Sequence, residues 1–233
     1  MQWNSLVTQL FGSFHGLRAD GDFLQGEVIF EREPLTVIGT TNHAPIGVRL
    51  ALAQARAVLD TVRQHPGRPI LLLIDTQGQQ LRRRDELLGI NRAMAHLGAS
   101  IDLARRRGHR VIGLVYDQAL SGGFITSGLI ADACYALPEA EIRVMRIPAM
   151  ARVTKLPEDR LTELSKSNPV FAPGVQNYVA MGGVRALWTG DLQTRLRDAL
   201  AHTPTEDRRA RDGAERGGRR LAAAVVQRVL DAA

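Results

Sequence analysis

The 233 residues are 45% hydrophobic and 23% charged, enough apolar material to bury a sizeable core and too evenly mixed for a disordered or fibrous chain. Formal charge is +6, yet aromatics make up 5% and interleave no basic run, so nucleic acid is not an expected partner. The only cysteine, Cys134, excludes an internal disulfide and a thiolate metal cluster.

All but Lys155 and Lys166 of the 30 basic residues are arginines. Their scatter reads as compositional bias, with recognition of phosphate or carboxylate on an acidic partner as the alternative. The opening MQWNSLVTQLFG lacks the basic and apolar regions of a signal peptide. No apolar stretch approaches the ~18–20 residues that span a bilayer. A cytoplasmic, reduced protein with no membrane contact is expected.

Gln2–Phe11 has Trp3, Leu6, Val7 and Leu10 at helical spacing, and Gly12–Gly26 reads as loop. Glu27–Phe30 and Leu35–Thr40 read as strands of a hairpin about Glu31-Arg-Glu-Pro34. Thr41–Gly47 connects to a helix over Val48–Arg63, stopped by Pro66 and Gly67. Pro69–Ile74 reads as a buried strand with Asp75–Gly78 as the loop at its end. A long helix follows over Asp85–Arg107, with Leu87, Leu88, Ile90, Met94, Leu97, Ile101 and Leu103 as core and Gly108 as its cap. The apolar run Val111–Tyr116 is a further strand, followed by the small-residue turn Ala119–Gly123 and a helix over Phe124–Ala131. Alternating strands and helices imply a parallel α/β arrangement, whose ligands sit beyond the carboxyl ends of the strands.

Ala133–Leu137 and Glu141–Met145 are short β runs split by Pro138. The pattern then turns helical, over Pro148–Val153, Pro157–Ser165, Gly174–Met181, Val184–Trp188 and Asp191–Ala201, with a bend at Pro169–Pro173. Three regions are expected: a main domain over 1–202, a flexible linker over 203–218 and a helix over 219–233, with Leu221, Val225, Val226 and Leu230 on one stripe.

The stretch Val111–Met145 holds the best candidate for chemistry. A strand that ends in Gly122-Gly123 and opens a helix aims unpaired backbone N–H groups at one spot, with the positive end of the helix dipole behind them. Such a site suits a carboxylate or a developing oxyanion on a thioester carbonyl. Ala119-x-Ser121-x-Gly123 also has the outline of a relaxed nucleophile elbow, but only His202 follows Ser121, so Ser121 reads as a turn residue or a hydrogen-bond donor beside the site. The six histidines show no metal-binding spacing, and no metal is expected. His43, in a polar loop after a strand, is either a loop-structuring histidine or a substrate contact. Arg82–Arg84 reads as a solvated helix entrance or an acidic-partner surface, and Arg105–Arg107 as a complement to a helix dipole.

Strand–loop–helix units with a Gly-Gly turn, Ala131-Asp132 and the β pair around Leu137-Pro-Glu-Ala140 resemble the crotonase superfamily. Within it, six runs resemble the gamma-subunit family of biotin-independent malonate decarboxylases: Gly39-Thr-Thr-Asn-His43, Leu73-Ile-Asp-Thr-Gln-Gly78, Arg84-Asp-Glu-Leu-Leu-Gly-Ile-Asn91, Ser121-Gly-Gly-Phe124, Ala149-Met-Ala-Arg-Val-Thr-Lys155 and Val170-Phe-Ala-Pro-Gly174. The resemblance covers about 30–192.

It implies an α/β fold of the ClpP/crotonase kind, a spiral of ββα units with a helical C-terminal part. It implies a carboxyltransferase-type enzyme subunit that pairs with a homologous beta subunit, and works with an acyl carrier protein and an alpha subunit that transfers it. The pair would decarboxylate a malonyl thioester, carried on the phosphopantetheine-type arm of the acyl carrier protein, to acetyl thioester and carbon dioxide. No biotin is implied, and no covalently bound cofactor. By the same analogy the backbones of Gly122, Gly123, Gly78 and Gln79 form one oxyanion pocket, with Ser121, His43, Gln77 and Phe124 around the substrate. A stand-alone acyl-CoA hydratase or isomerase, needing a carboxylate pair drawn from Asp75, Asp117 or Glu139, is the rival on the same fold. A non-catalytic scaffold is the rival of another class.

Overall fold

The computed structural model describes residues 1–13, 15–166, 174–218 and 221–232. Helix α1 (Trp3–Phe11) buries Leu6, Val7 and Leu10 and ends at Gly12. The region read as loop contains strand β1 (Arg18–Asp20) and the start of β2 (Phe23–Phe30), which pairs antiparallel with β3 (Glu33–Thr40). The β2–β3 turn is tighter than expected: Phe30 pairs with Glu33, and the two loop residues, Glu31 and Arg32, have φ 52° and 74°. Positive φ at both positions matches the right-handed twist of the hairpin strands, so Pro34 falls inside β3.

Next come β4 (Ala44–Ile46), α2 (Val48–Gln64), β5 (Ile70–Gln79), α3 (Arg83–Leu87), α4 (Ile90–Arg106) and β6 (Val111–Leu120). Both long strands run further than their apolar cores suggest. β5 pairs parallel with β3 over Ile70–Leu73, shifts register, then takes β4 as partner over Thr76–Gln79. β6 repeats the device, pairing with β7 (Ala133–Ala136) and then, over Gln118–Leu120, with β8 (Glu141–Arg143). Each long strand therefore turns from one layer of partners to the next. This is the ββα spiral of a crotonase fold. Asp75–Gly78, expected as a loop, is the second half of β5, because β4 supplies it with ladder bonds.

The helix read over Asp85–Arg107 is two helices. Gly89, at φ 77°, breaks it, since that conformation cannot continue a right-handed helix. Ile90, Met94, Leu97 and Ile101 are buried on α4, whereas Leu87 and Leu88, expected in the core, are exposed on the short α3, and Leu103 is 37% exposed. After β6, α5 (Ser121–Phe124) runs straight into a π-helical turn (Ile125–Leu129).

The C-terminal part comprises α6 (Ile147–Thr154), α7 (Glu158–Ser165), α8 (Val175–Ala180), β9 (Ala186–Leu187), α9 (Leu192–His202), α10 (Arg209–Glu215) and α11 (Ala222–Asp231). Val184–Trp188, read as helical, instead supplies β9, parallel to β7 at the sheet edge. The stretch 203–218, expected to be a linker, folds as α10 with Asp212 buried. Arg216 fixes it by donating to the carbonyls of Val179, Val184 and Arg185, and Arg209 donates to the carbonyl of Leu129. Its polarity is that of a linker, but these arginines are held by backbone carbonyls of other segments. The expected bend at Pro169–Pro173 lies outside the described residues.

Among the described residues the sheet has nine strands in the order β1-β2-β3-β5-β6-β7-β9, with β4 on β5 and β8 on β6. One face packs Leu71, Leu73 and Leu114 under Leu6 and Leu10 of α1 and Leu192 and Leu196 of α9. The other packs Ile70 and Leu72 under Val58, Leu97 and Ile101 of α2 and α4. Among the described residues no helix is long and apolar enough to cross a membrane.

Candidate active site

The site grows from the carboxyl ends of β5 and β6. Gly78 has φ 102°, a conformation that L side chains rarely adopt. A Cβ placed there would stand 2.9 Å from Cβ of Ser121, and one on Gly123 would stand 2.9 Å from both Cα and the carbonyl carbon of Gly78. The two glycine turns thus touch backbone to backbone. Sequence positions 45 residues apart become one surface of peptide groups at the N-terminus of a helix.

Hydrogen bonds hold those peptides. Thr76 Oγ1 donates to the carbonyl of Ala44 at 2.6 Å and accepts from the N–H of Gly78 at 3.0 Å. The N–H of Gly122 donates to Gln79 Oε1 at 3.2 Å. Thr126 Oγ1 donates to the carbonyl of Gly122 at 3.1 Å, and Ser127 Oγ to that of Gly123 at 2.6 Å. The carbonyl of Gly122 belongs to the peptide that carries the N–H of Gly123, so the Thr126 hydroxyl both orients that donor and polarises it.

The expected site residues separate into groups. Gly78, Gln79, Gly122 and Gly123 come together, but Gly78 N–H is taken by Thr76, and Gln79 presents its side chain, an acceptor, at Gly122. Ser121, at φ 51°, donates its hydroxyl to the carbonyl of Val144 at 2.5 Å, a turn-fixing contact. Gln77 is exposed on β5. Phe124, expected at the substrate, is 2% exposed and packs edge-on against Tyr178, so it is a core residue.

His43 is drawn to a different centre. Its backbone N–H donates to Asp75 Oδ2 at 2.9 Å, and its Nε2 lies 3.4 Å from Asp117 Oδ1. Burial raises the carboxyl of Asp75 above its ordinary value, against the lowering effect of the His43 N–H. Thr126 and Ser127 are functional candidates that the sequence does not mark by any motif, whereas Asp117 enters there only as a carboxylate for the rival hydratase. The first two left a signal, a hydroxyl four residues after each glycine carbonyl.

Arg105 and Cys134 are structural. Arg105 Nε donates to Asp132 Oδ1 at 2.8 Å and Asp132 Oδ2 accepts from the N–H of Val111, fixing the start of β6. Arg82, Arg83 and Arg84 are exposed. Burial pushes the Cys134 thiol up to about 12, so it is no nucleophile.

Residues 41–233 match the family described as malonate decarboxylase gamma subunit, MdcE. Malonyl-S-ACP:biotin-protein carboxyltransferase MADD of Malonomonas rubra is 36% identical over 166 residues, 67% of this chain and 55% of its own length, so the chain spans about half of that relative. A chain of a Pseudomonas malonate decarboxylase hetero-tetramer, solved with coenzyme A, is 25% identical with a TM-score of 0.82 over 99% of both chains. A chain of the Pseudomonas MdcD–MdcE hetero-dimer is 26% identical with a TM-score of 0.77, over 98% of this chain and 97% of that one.

Proposed function

The chain belongs to the malonate decarboxylase gamma subunit family, and from that premise we propose that it supplies one half of a carboxyltransferase-type active site. A homologous beta subunit supplies the other half. The observation that carries the reading is the contact of the Gly78 and Gly122–Gly123 turns, which sets the peptides of Gly122 and Gly123 at the start of α5 with the Gly122 N–H facing the Gln79 side-chain oxygen. In this reading the region 1–202 is the carboxyltransferase-type body, and the substrate is a malonyl thioester on the phosphopantetheine-type arm of an acyl carrier protein that an alpha subunit loads.

In the reaction the bond between the α-carbon and the carboxylate breaks. Its electron pair moves onto the thioester oxygen as an enolate, carbon dioxide leaves, and the α-carbon then takes a proton. No side-chain nucleophile or biotin is needed. The barrier falls because N–H groups already aimed at an oxygen need not reorganise as charge develops there. Gln79 Oε1 holds the Gly122 N–H until a substrate oxygen replaces it, and Thr126 and Ser127 keep the peptides of Gly122 and Gly123 in place. The beta subunit grips the thioester carbonyl, where that charge develops, and this pocket holds the departing carboxylate and orients its bond to the α-carbon for cleavage. His43 and Gln77 are candidate substrate contacts outside the glycine turns.

The test is carbon dioxide release from a malonyl thioester by the chain alone, by the chain with its beta subunit, and by that pair carrying Gly122→Val. Release by the wild-type pair only, cut at least ~100-fold in the variant pair, is the expected result. Equal release by the variant pair would leave the chain a scaffold. An enoyl thioester hydrated by the chain alone would make it a crotonase-type hydratase.

A further inference from the structure

We propose that His43, Asp75 and Asp117 form a binding site for one divalent transition-metal ion, best suited to Zn2+. Sequence spacing hid the set because the three residues come from the loop after β3 and from neighbouring strands β5 and β6. The fold brings one ligand atom of each within 4.8 Å of the others.

Each carboxylate gives one oxygen to a fixed donor and turns the other toward the imidazole. Asp75 Oδ2 accepts from the backbone N–H of His43 at 2.9 Å, and Asp117 Oδ2 pairs with the Met1 amine at 2.8 Å. That leaves Asp75 Oδ1 3.7 Å and Asp117 Oδ1 3.4 Å from His43 Nε2. Three ligands on bonds of about 2.0–2.2 Å in tetrahedral array stand roughly 3.4 Å apart, close to the two separations from the imidazole, and the two carboxylates lie within 4.8 Å of each other.

The second observation concerns Asp75. Its side chain is 5% exposed, yet Oδ1 is buried without a hydrogen-bond partner. A buried, unpartnered carboxylate oxygen is costly, and a cation in front of it removes that cost. His43 is held on the loop by its own N–H bond, and the hydrogen bonds on the outer oxygens orient the ligands as outer-shell partners of metal sites do. The imidazole is 54% exposed, so the ion has an entry path and an open fourth position for water or an anionic group. One nitrogen and two oxygens fit Zn2+, with Mn2+ as the harder competitor.

The proposal stands independently of the decarboxylase reading, and its test reads metal rather than turnover. The EDTA-stripped chain is titrated calorimetrically with Zn2+ and with Mn2+, then desalted and assayed for bound metal. One equivalent of Zn2+ per chain is expected to survive desalting and to raise Tm. His43→Gln and Asp117→Asn, both at accessible positions, should each weaken Zn2+ binding at least ~10-fold. Asp75→Asn should behave likewise, while His96→Gln on the exposed face of α4 binds as wild type. Substoichiometric retention by the wild-type chain, or Zn2+ affinity within about threefold of wild type in both His43→Gln and Asp117→Asn, would overturn the site.

Discussion

At Gly123 the backbone of Gly78 occupies the space a side chain would need, whereas a Cβ on Gly122 would meet the ends of the Gln79 and Met94 side chains, at 3.1 and 3.7 Å. Gly123→Ala should therefore cost about 1–3 kcal/mol by overpacking and lower the melting temperature, while Gly122→Ala melts within a degree or so of wild type. Thermal melts of the two variants check the difference. Asp75 makes a second prediction. Its folded carboxyl lies above the ordinary 3.8, so the folded chain holds that proton more tightly than the unfolded chain does. The stability gained is complete below 3.8 and is lost as pH rises through the folded value. With EDTA present, Asp75→Asn should be more stable than wild type at pH 7, with the gap closing toward pH 4. Urea unfolding of both proteins across that range would show it, and a gap that widens on acidification would refute the assignment of burial as the cause.

Among the elements, the β2–β3 turn holds strain that its sequence does not relieve. Glu31 and Arg32 both adopt positive φ without glycine or asparagine at either place. Glu31 has a partner in Arg197, so the relief belongs at Arg32. Arg32→Gly is expected to stabilise the chain by roughly 1 kcal/mol, since glycine meets no steric penalty there. A shift of the urea midpoint upward with an unchanged slope is the readout. The same scale explains why α2 starts where it does: Asp85 on α3 accepts from the N–H of Val48 at 2.9 Å, capping the helix from outside with a negative charge at its positive end.

For the molecule as a whole, the two packed faces of the sheet account for the fold, and α11 adds nothing to them. No residue of α11 is buried, and Val225, Val226, Val229 and Leu230 are all more than half exposed. Removing the chain beyond residue 220 should leave the melting temperature of the isolated protein within about 2 °C of the intact one, because no core contact is lost. A larger drop would mean that this helix docks on the body in solution. α10 differs, since Asp212 is buried and the Arg216 guanidinium satisfies three backbone carbonyls.

By itself the sequence determined the parts whose signal is local. The apolar runs Ile70–Ile74 and Val111–Tyr116 specify buried strands, the period of α2 specifies its inner face, and Gly-Gly after a strand marks the turn where backbone donors are exposed. Runs such as Leu73–Gly78 and Ser121–Phe124 carry the resemblance to its family. Tertiary structure alone decided what depends on partners distant in sequence. Whether Asp75–Gly78 is loop or strand rests on β4 lying beside it, and polar residues carry no periodicity that reveals such a neighbour. Whether Arg209 and Arg216 dangle or anchor depends on carbonyls of remote segments. The meeting of His43 with Asp75 and Asp117 follows from the parallel order β3-β5-β6, which brings the loop after β3 beside positions within β5 and β6 that the chain visits 32 and 42 residues apart. Side-chain chemistry is written residue by residue, but proximity is set by the crossovers that return each strand to the same edge.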